Sequence, residues 1–317
     1  MGRIDPFILI MLATVAVASL LPASGAAAAV LDVVTTLAIA LLFFLHGVRL
    51  KREALVNAVA DWRVHLLILA CTFVLFPLLG VALHAALPGL LPAPLWTGIL
   101  FLCALPSTVQ SSIAFTSIAR GNVAIALCAA AFSNLLGVFI TPLLAGLILG
   151  TQGGASFAQV GKIASELLLP FLVGHALRPW LGDWAERNKT LLMFTDRGTI
   201  VLAVYGSFSA SITQGLWHRV APAQLAVLLA ICLVLLAAVL GLTTLVARLL
   251  GYDKAAEIAI VFVGSKKSLA SGVPMAKILF PPAVAGAVML PIMMFHQAQL
   301  MACARIARTY AQRTEDE

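Results

Sequence analysis

Ten apolar stretches run along the chain, separated by breaks rich in proline, glycine or charge. They lie near residues 6–21, 28–48, 64–87, 95–119, 122–149, 160–181, 190–214, 223–250, 255–279 and 283–307. Most are close to, or longer than, the roughly 20 apolar residues that a helix needs to cross a bilayer. The pattern predicts an all-α membrane protein of ten transmembrane helices. The first stretch also has a second reading. Arg3, the apolar run from Phe7 to Leu21 and the small residues after Pro22 imitate a signal peptide. A first span is the reading that completes the count.

Composition agrees with the pattern. Of the 317 residues, 62% are hydrophobic and only 10% are charged, against roughly a quarter charged in soluble domains. No hydrophilic block is long enough for a separate soluble domain. The net charge of +7 does not point to nucleic acid, because lysine and arginine in such a chain mostly mark the cytoplasmic side. With the N-terminus inside, fifteen basic residues fall on the inner side, among them Arg3, Lys51, Arg52, Arg197 and Arg313. The outer loops carry three, Lys162, Arg219 and Lys277. This asymmetry predicts a multi-pass protein of the bacterial inner (cytoplasmic) membrane with both termini in the cytoplasm. Five cysteines within apolar runs lack metal-type spacing and read as small packing residues. No paired carboxylates, zinc motif or nucleophile with a base suggests an enzyme.

Two spans are interrupted by polar residues. Span 4 reads Pro106-Ser107-Thr108-Val109-Gln110-Ser111-Ser112 in its middle, and span 9 reads Gly264-Ser265-Lys266-Lys267-Ser268. A single charge near the bilayer centre costs about 2.5–3.5 kcal/mol, so two adjacent lysines need acceptors, a polar cavity or loss of a proton. The spans occupy matching positions when the chain is halved into 1–150 and 151–317. Halves of five spans each must have opposite orientation, which makes two inverted five-helix repeats with broken crossing helices 4 and 9. Such paired interruptions mark the central site of a transporter, since unwound backbone at that depth must line a cavity or be buried in protein.

The residues in these breaks are similar to those of the bile acid:sodium symporter superfamily. The similarity covers Leu105-Pro106 through Ser112, Ala119-Arg120-Gly121-Asn122, Thr141-Pro142 and Val263-Gly264. The run Lys267-Ser268-Leu269 with Gly272, Pro274 and Met275 resembles the member-7-like branch, which includes bacterial proteins. The resemblance implies a panel domain of helices 1, 2, 6 and 7 and a core domain of helices 3–5 and 8–10. It also implies sodium ligands, which are only partly present. A first ion site falls on Ser111 and Ser112, with Asn134 beside Ser133 on span 5. The bridging glutamate of the family falls on Phe262, the span-9 glutamine on Lys266, the span-3 glutamine on Thr72 ahead of Pro77, and the substrate-facing asparagine on Lys267.

The expected function is therefore a secondary transporter moving a small organic anion by alternating access. Proton coupling, or none, is expected ahead of sodium, since two cations at the sodium position repel at low dielectric. Lys266 is expected to stand in for an ion and to hold carbonyls of the crossing, with Ser265 beside it. Lys267 is expected to face the cavity with Ser107, Thr108 and Gln110 as substrate-binding residues, although the two lysines are interchangeable at this stage. No cofactor is expected beyond sodium, no metal site is firm, and the partners expected are membrane lipids and the anionic substrate, with no nucleic acid and no obligate protein partner. The alternative is a non-transporting membrane regulator or lipid-binding protein on the same fold. Lesser expectations are a local Asp196–Arg197 charge pair, Glu257 at the positive end of a helix, Glu166 near the outer part of span 6, Gln110 as a better site residue than Gln297 or Gln299, and five tryptophans, Trp96 included, as interfacial anchors.

Overall fold

A computed structural model of the chain describes residues 6–49, 62–153 and 157–312. Arg3, Lys51, Arg52 and Arg313 lie outside the described residues, as do the side chains of Lys162, Glu166 and Arg219. The described part is helical. Its elements are α1 (Pro6–Leu20), α2 (Gly25–Arg49), α3 (Trp62–Ala86), α4 (Ala93–Ala104), α5 (Gln110–Ile118), α6 (Val123–Gly153) and α7 (Phe157–Ala176). They continue as α8 (Arg178–Arg187), α9 (Lys189–Thr213), α10 (Leu216–Arg219), α11 (Pro222–Leu249), α12 (Lys254–Gly264), α13 (Leu269–Leu279) and α14 (Pro282–Ala311). Among the described residues, α2, α3, α6, α11 and α14 are long and apolar enough to cross a membrane, and shorter apolar helices accompany them. Helix is the form that apolar segments take in lipid, because it satisfies every backbone group within the segment.

The helices gather in two groups. In one, α1 packs on α9, and α2 packs on α7, α8 and α9. In the other, α4 packs on α3, α6 and α14, while α12 packs on α3, α5, α6 and α11. Between the groups, α9 lies against α13 and α14. In the first group, α2 and α7 meet through a reciprocal glycine pair. A Cβ on Gly47 would strike the carbonyl oxygen of Phe171, and a Cβ on Gly174 would strike that of Phe44. Both obstacles are backbone, so neither can give way by changing rotamer.

Local chemistry explains where the chain stops being helical. Leu105 precedes Pro106, which disfavours helical ψ. Its φ −70°, ψ 154° ends α4. Ser268 opens α13 as an N-cap, its hydroxyl accepting from the Ser271 N–H. Asp253 caps α12 in the same way through the Ala256 N–H at 2.7 Å. Beyond α5, Arg120 adopts φ 56°, and Asn122 then caps α6 through the Ile125 N–H at 3.0 Å. Within α3, Pro77 has no N–H to donate, and the helix widens to a π-turn at Cys71–Leu75 just before it.

At one end of the second group, the Glu257 carboxylate is almost wholly buried. Arg248 from α11 approaches it at 3.2 Å, Lys254 at 3.2 Å, and the Tyr310 hydroxyl from α14 donates at 2.9 Å. The position in the first turn of α12 suits the helix dipole, as expected. The carboxylate also ties three helices together. Trp96 departs from its expected place at the interface. It is 2% exposed and packs edge-on to His84 at 5.0 Å. Trp62, Trp180, Trp184 and Trp217 are the exposed ones.

Gly174→Ala is expected to destabilise the protein by about 1–3 kcal/mol through overpacking against the Phe44 carbonyl. Gly241→Ala, with nothing within 4 Å of the new methyl, is expected to be neutral or slightly stabilising. Thermal denaturation of the two purified variants checks the contrast.

Candidate functional site

The two helix breaks lie against each other. The Ser268 N–H donates to the Pro106 carbonyl at 2.9 Å. The Ser107 hydroxyl donates to the Val263 carbonyl at 2.6 Å, and that of Ser112 to Phe262 at 3.1 Å. From α6, the Ser133 hydroxyl accepts from the Ser107 N–H at 3.0 Å, and the Asn134 amide donates to the Ser107 carbonyl at 2.6 Å. Asn134 Oδ1 in turn accepts from the Ser271 hydroxyl at 3.0 Å, and Thr141 donates to the Ala104 carbonyl at 2.8 Å. Backbone groups that lose helical partners are thereby re-paired by short hydroxyl and amide side chains.

Lys267 completes this scaffold. Its ammonium donates to three carbonyls, Thr72 at 2.7 Å, Cys103 at 2.8 Å and Leu105 at 2.7 Å. The Phe76 ring centroid lies 4.1 Å away. Each carbonyl is available for a reason. The Phe76 N–H, the ordinary helical partner of Thr72, bonds to Cys71 instead, and the next candidate is Pro77, which has no N–H. The Ser107 N–H, which would otherwise pair with Cys103, goes to Ser133. Leu105 lies in the break itself. The ammonium also stands at the negative end of the α4 dipole. A buried ammonium pays several kcal/mol in lost hydration, and three hydrogen bonds to a charged donor return about 1.5–3 kcal/mol each. The two magnitudes balance without a carboxylate.

Lys266 uses a different chemistry. Its ammonium donates to the Ser111 carbonyl at 2.9 Å and stands 4.0 Å from the Phe115 ring centroid and 5.3 Å from that of Phe262. Two ring faces offer negative quadrupole density to a cation that has no carboxylate. Lysine and phenylalanine at 266 and 262 therefore work together. Where the resemblance puts a glutamate, an aromatic ring receives the ammonium.

Beside the scaffold, a cavity of about 720 Å³ opens between the two groups of helices. From the first group, Phe43, His46, Arg49, Asp196 and Arg197 line it. From the second come Thr108, Gln110, Ser111, Asn134, Ser268, Ser271 and His296. Of the residues expected at the site, Thr108, Gln110, Ser111 and Asn134 line this cavity. Ser107, Ser112, Ser133, Ser265, Lys266 and Lys267 do not; all six are buried in the scaffold. The expectation for the lysine pair is corrected accordingly. Lys267, not Lys266, holds several carbonyls of the break, and it is 1% exposed rather than facing the cavity. On unwound backbone the direction of each side chain is set by the carbonyls within reach, and the π-turn of α3 presents one to Lys267. Ser265 spends its hydroxyl on the Val261 carbonyl at 2.5 Å.

Other partners differ from expectation. Asp196 pairs with Arg49, not with its neighbour Arg197, at 2.6 and 3.3 Å to the two guanidinium nitrogens. Consecutive residues on a helix point to different faces, and α2 brings Arg49 to the face that Asp196 occupies. Arg197 instead stacks over the Phe7 ring at 5.2 Å. Gln110 lines the cavity, as expected of a site residue, whereas Gln299 serves the helix break. Fully buried on α14, it accepts from the Lys267 N–H at 2.9 Å and donates to the Lys267 carbonyl at 2.9 Å. Its amide nitrogen also meets His296 Nδ1 at 2.9 Å, a contact that requires an unprotonated Nδ1. Nothing in the local sequence distinguishes Gln299 from Gln297. The Pro77 that frees the Thr72 carbonyl was, by contrast, a readable signal.

A helical membrane protein with two abutting helix breaks, buried charges within them and a cavity alongside is built as a membrane transporter. Residues 5–312 match the model of the SBF-like CPA transporter family, and the chain belongs to that family. It is 55% identical over 314 residues to "Uncharacterized protein PA2026" of Pseudomonas aeruginosa, covering 98% of this chain and 94% of that one. It is 50% identical over 313 residues to "Putative symporter YfeH" of Escherichia coli, with the same coverage. Similarity extends to "Sodium/bile acid cotransporter 7" of Xenopus tropicalis, 28% identical over 312 residues, covering 94% and 89%. The chain is thus a multi-pass membrane protein of a family of transporters, not of enzymes.

Lys267→Met is expected to be the most damaging conservative change at the crossing. It removes one donor and orphans three buried carbonyls at about 1–3 kcal/mol each, offset in part by the several kcal/mol of hydration that the ammonium no longer gives up. Lys266→Met gives up one hydrogen bond and the ring contacts, about 1–3 kcal/mol. Denaturation midpoints of the two variants in detergent test the order; equal losses would contradict it.

Proposed function

We propose that the protein is a secondary transporter that moves a small organic anion across the bacterial inner membrane by alternating access, without sodium as coupling ion. Ten spans form two inverted five-helix repeats on this reading. The first group of helices acts as a panel and the second as a core that rocks against it, and both chain termini are cytoplasmic. The observation that carries the reading is the pair of ammonium groups embedded in the crossing beside the cavity. Sodium requires several oxygens, with charge to offset its dehydration. Near the Ser111–Ser112 position the available space adjoins the Lys266 ammonium. At the Thr72 position the carbonyl already accepts from Lys267. A sodium ion at either place would meet a fixed like charge a few ångströms away in a poor dielectric. Each lysine thus takes the place of one ion and keeps the crossing assembled in its absence.

The side opposite the cavity supports a closed state. Lys277 of α13 approaches the Asp32 carboxylate of α2 at 2.5 Å, an ion pair between core and panel. The Ser211 hydroxyl of α9 donates to the Pro282 carbonyl at 2.9 Å and accepts from the Gly286 N–H at 3.0 Å, joining panel and core again. The cavity is lined at its other end by Arg49 and Arg197, residues of the basic and therefore cytoplasmic side. The arrangement fits an inward-facing carrier. Two cavity guanidiniums against one carboxylate favour an anionic cargo.

Uptake of an anionic substrate into proteoliposomes is expected to proceed equally in sodium and in choline buffers. Stimulation by an inward sodium gradient would overturn the coupling assignment. In a background without its native cysteines, Asp32→Cys with Lys277→Cys is expected to lose transport when bridged by a short bifunctional thiol reagent and to regain it when the bridge is cleaved. Unchanged transport after complete bridging would argue against movement of the core relative to the panel at this point.

A further inference from the structure

Gln299 is held so that only one form of its neighbour fits. Its Oε1 accepts from the Lys267 N–H and its Nε2 donates to the Lys267 carbonyl, both at 2.9 Å. A peptide N–H can only donate and a peptide carbonyl can only accept, so the side-chain amide has one orientation. The second hydrogen of Nε2 then meets His296 Nδ1 at 2.9 Å. The two residues are three apart on α14 and share a face of it. Nδ1 is therefore an acceptor, and the neutral ring carries its hydrogen on Nε2. A proton taken up by that tautomer has one place to go, the Nδ1 lone pair. Protonation replaces the acceptor with a donor and sets two N–H groups against each other.

Protons reach the ring from the cavity. His296 is half-buried and lines it, whereas Gln299 is fully buried. Imidazole is the side chain that changes charge in the physiological range. Across the cavity stand His46 and Arg49 of α2 and Asp196 and Arg197 of α9. Asp196, the one carboxylate among the described lining residues, is held by Arg49. From the break come Lys266 and Lys267, whose ammoniums are spent on the Ser111 carbonyl and on those of Thr72, Cys103 and Leu105. On α13, Lys277 pairs with Asp32, and on α11, Arg248 pairs with Glu257. Neither α4 nor α5 carries a charged residue.

We infer that His296 is a proton-sensing positioning residue that acts on the crossing through Gln299. Neutral, it holds the amide against both peptide groups of Lys267, the residue whose side chain gathers the three stranded carbonyls. Protonated, it lets the amide go, and the Lys267 backbone loses both partners. The contact is present at alkaline pH and is lost as the ring takes up a proton, so acid loosens the crossing. The switch rests on this geometry alone. Its consequence rests on the carrier reading. The cavity opens to the cytoplasm, the proton enters and leaves on that side, and acidification there slows the rocking of the core without driving transport.

The test follows the full chain in detergent with isotopically labelled histidine ring nitrogens. The His296 resonances are those missing from His296→Asn. Asparagine puts an uncharged acceptor at the Nδ1 position and does not titrate. At about pH 8 the wild-type ring is expected as the Nε2–H tautomer. Between about pH 8 and about pH 5, wild type is expected to lose roughly 2–4 °C more of its thermal midpoint than His296→Asn. Other titrating groups contribute equally to both proteins. Over the same range, protection of the Lys267 amide hydrogen, corrected for intrinsic exchange, is expected to fall roughly 10-fold in wild type and to hold in His296→Asn. His296→Ala, which has no acceptor, is expected to show the low protection at both ends of the range. An Nδ1–H tautomer at alkaline pH, or equal pH dependence in wild type and His296→Asn, overturns the switch. Accessibility tests the side of entry separately. In a background without native cysteines, His296→Cys is expected to react with a membrane-impermeant maleimide in inside-out vesicles and not in right-side-out ones. Reaction only from the outer side would refute the inward-facing reading and leave the pH contrast standing.

Discussion

The structure depends on one ammonium group holding three carbonyls that no N–H can reach. Each of the three is orphaned by a separate event. Proline in α3 opens a π-turn at Thr72. The Ser107 N–H is diverted to Ser133, which strands Cys103. The extended residue before Pro106 strands Leu105. Water would serve such groups at a surface, but at membrane depth it is absent and each unmet carbonyl is costly. Lys267 gathers three helix defects into one point. The remaining scaffold of serines, Asn134 and Thr141 completes the satisfaction of backbone at the break. The defects are therefore interdependent. Remove the cation, and the π-turn, the end of α4 and the break in the crossing all lose their partner together.

Lys266 shows how the same problem is solved with aromatic faces. A glutamate, which the resemblance implies at this position, would bring a formal negative charge, and phenylalanine at 262 brings only a quadrupole. That is sufficient for an ammonium attached to the backbone, since its position is not purchased from solution. It would be poor for a free ion, which must be stripped of water and lose its translational freedom on binding. Phenylalanine at 262 and lysine at 266 are thus chemically matched to each other.

Much of this was legible in the sequence. The all-helical membrane character, the breaks at Leu105–Val109 and Ser265–Ser268 and the group of hydroxyl residues around them follow from hydropathy, proline and polar insertions, which are local signals. The partition between Lys266 and Lys267 was not, because it depends on which carbonyl a different helix offers. Asp196 was assigned to its sequence neighbour, when the decisive partner stands on α2. Trp96 was misjudged for the same reason, and the bonds of Gln299 to the Lys267 peptide groups were not foreseen. A single polar residue in an apolar run carries no mark of whether it meets a backbone peptide, a lipid interface or another ring. Residue type predicted where the chain breaks; three-dimensional proximity decided what each side chain does there.

A tethered cation also has kinetic consequences. An ion drawn from solution must arrive before each reorientation and leave after it, so it reports the membrane gradient at every turnover and forbids slippage when absent. An ammonium anchored to the backbone is neither consumed nor released. On the proposed reading, the empty carrier is always competent to return, its direction follows the cargo's own gradient, and the cost of assembling the crossing is met once, during folding, rather than at each cycle.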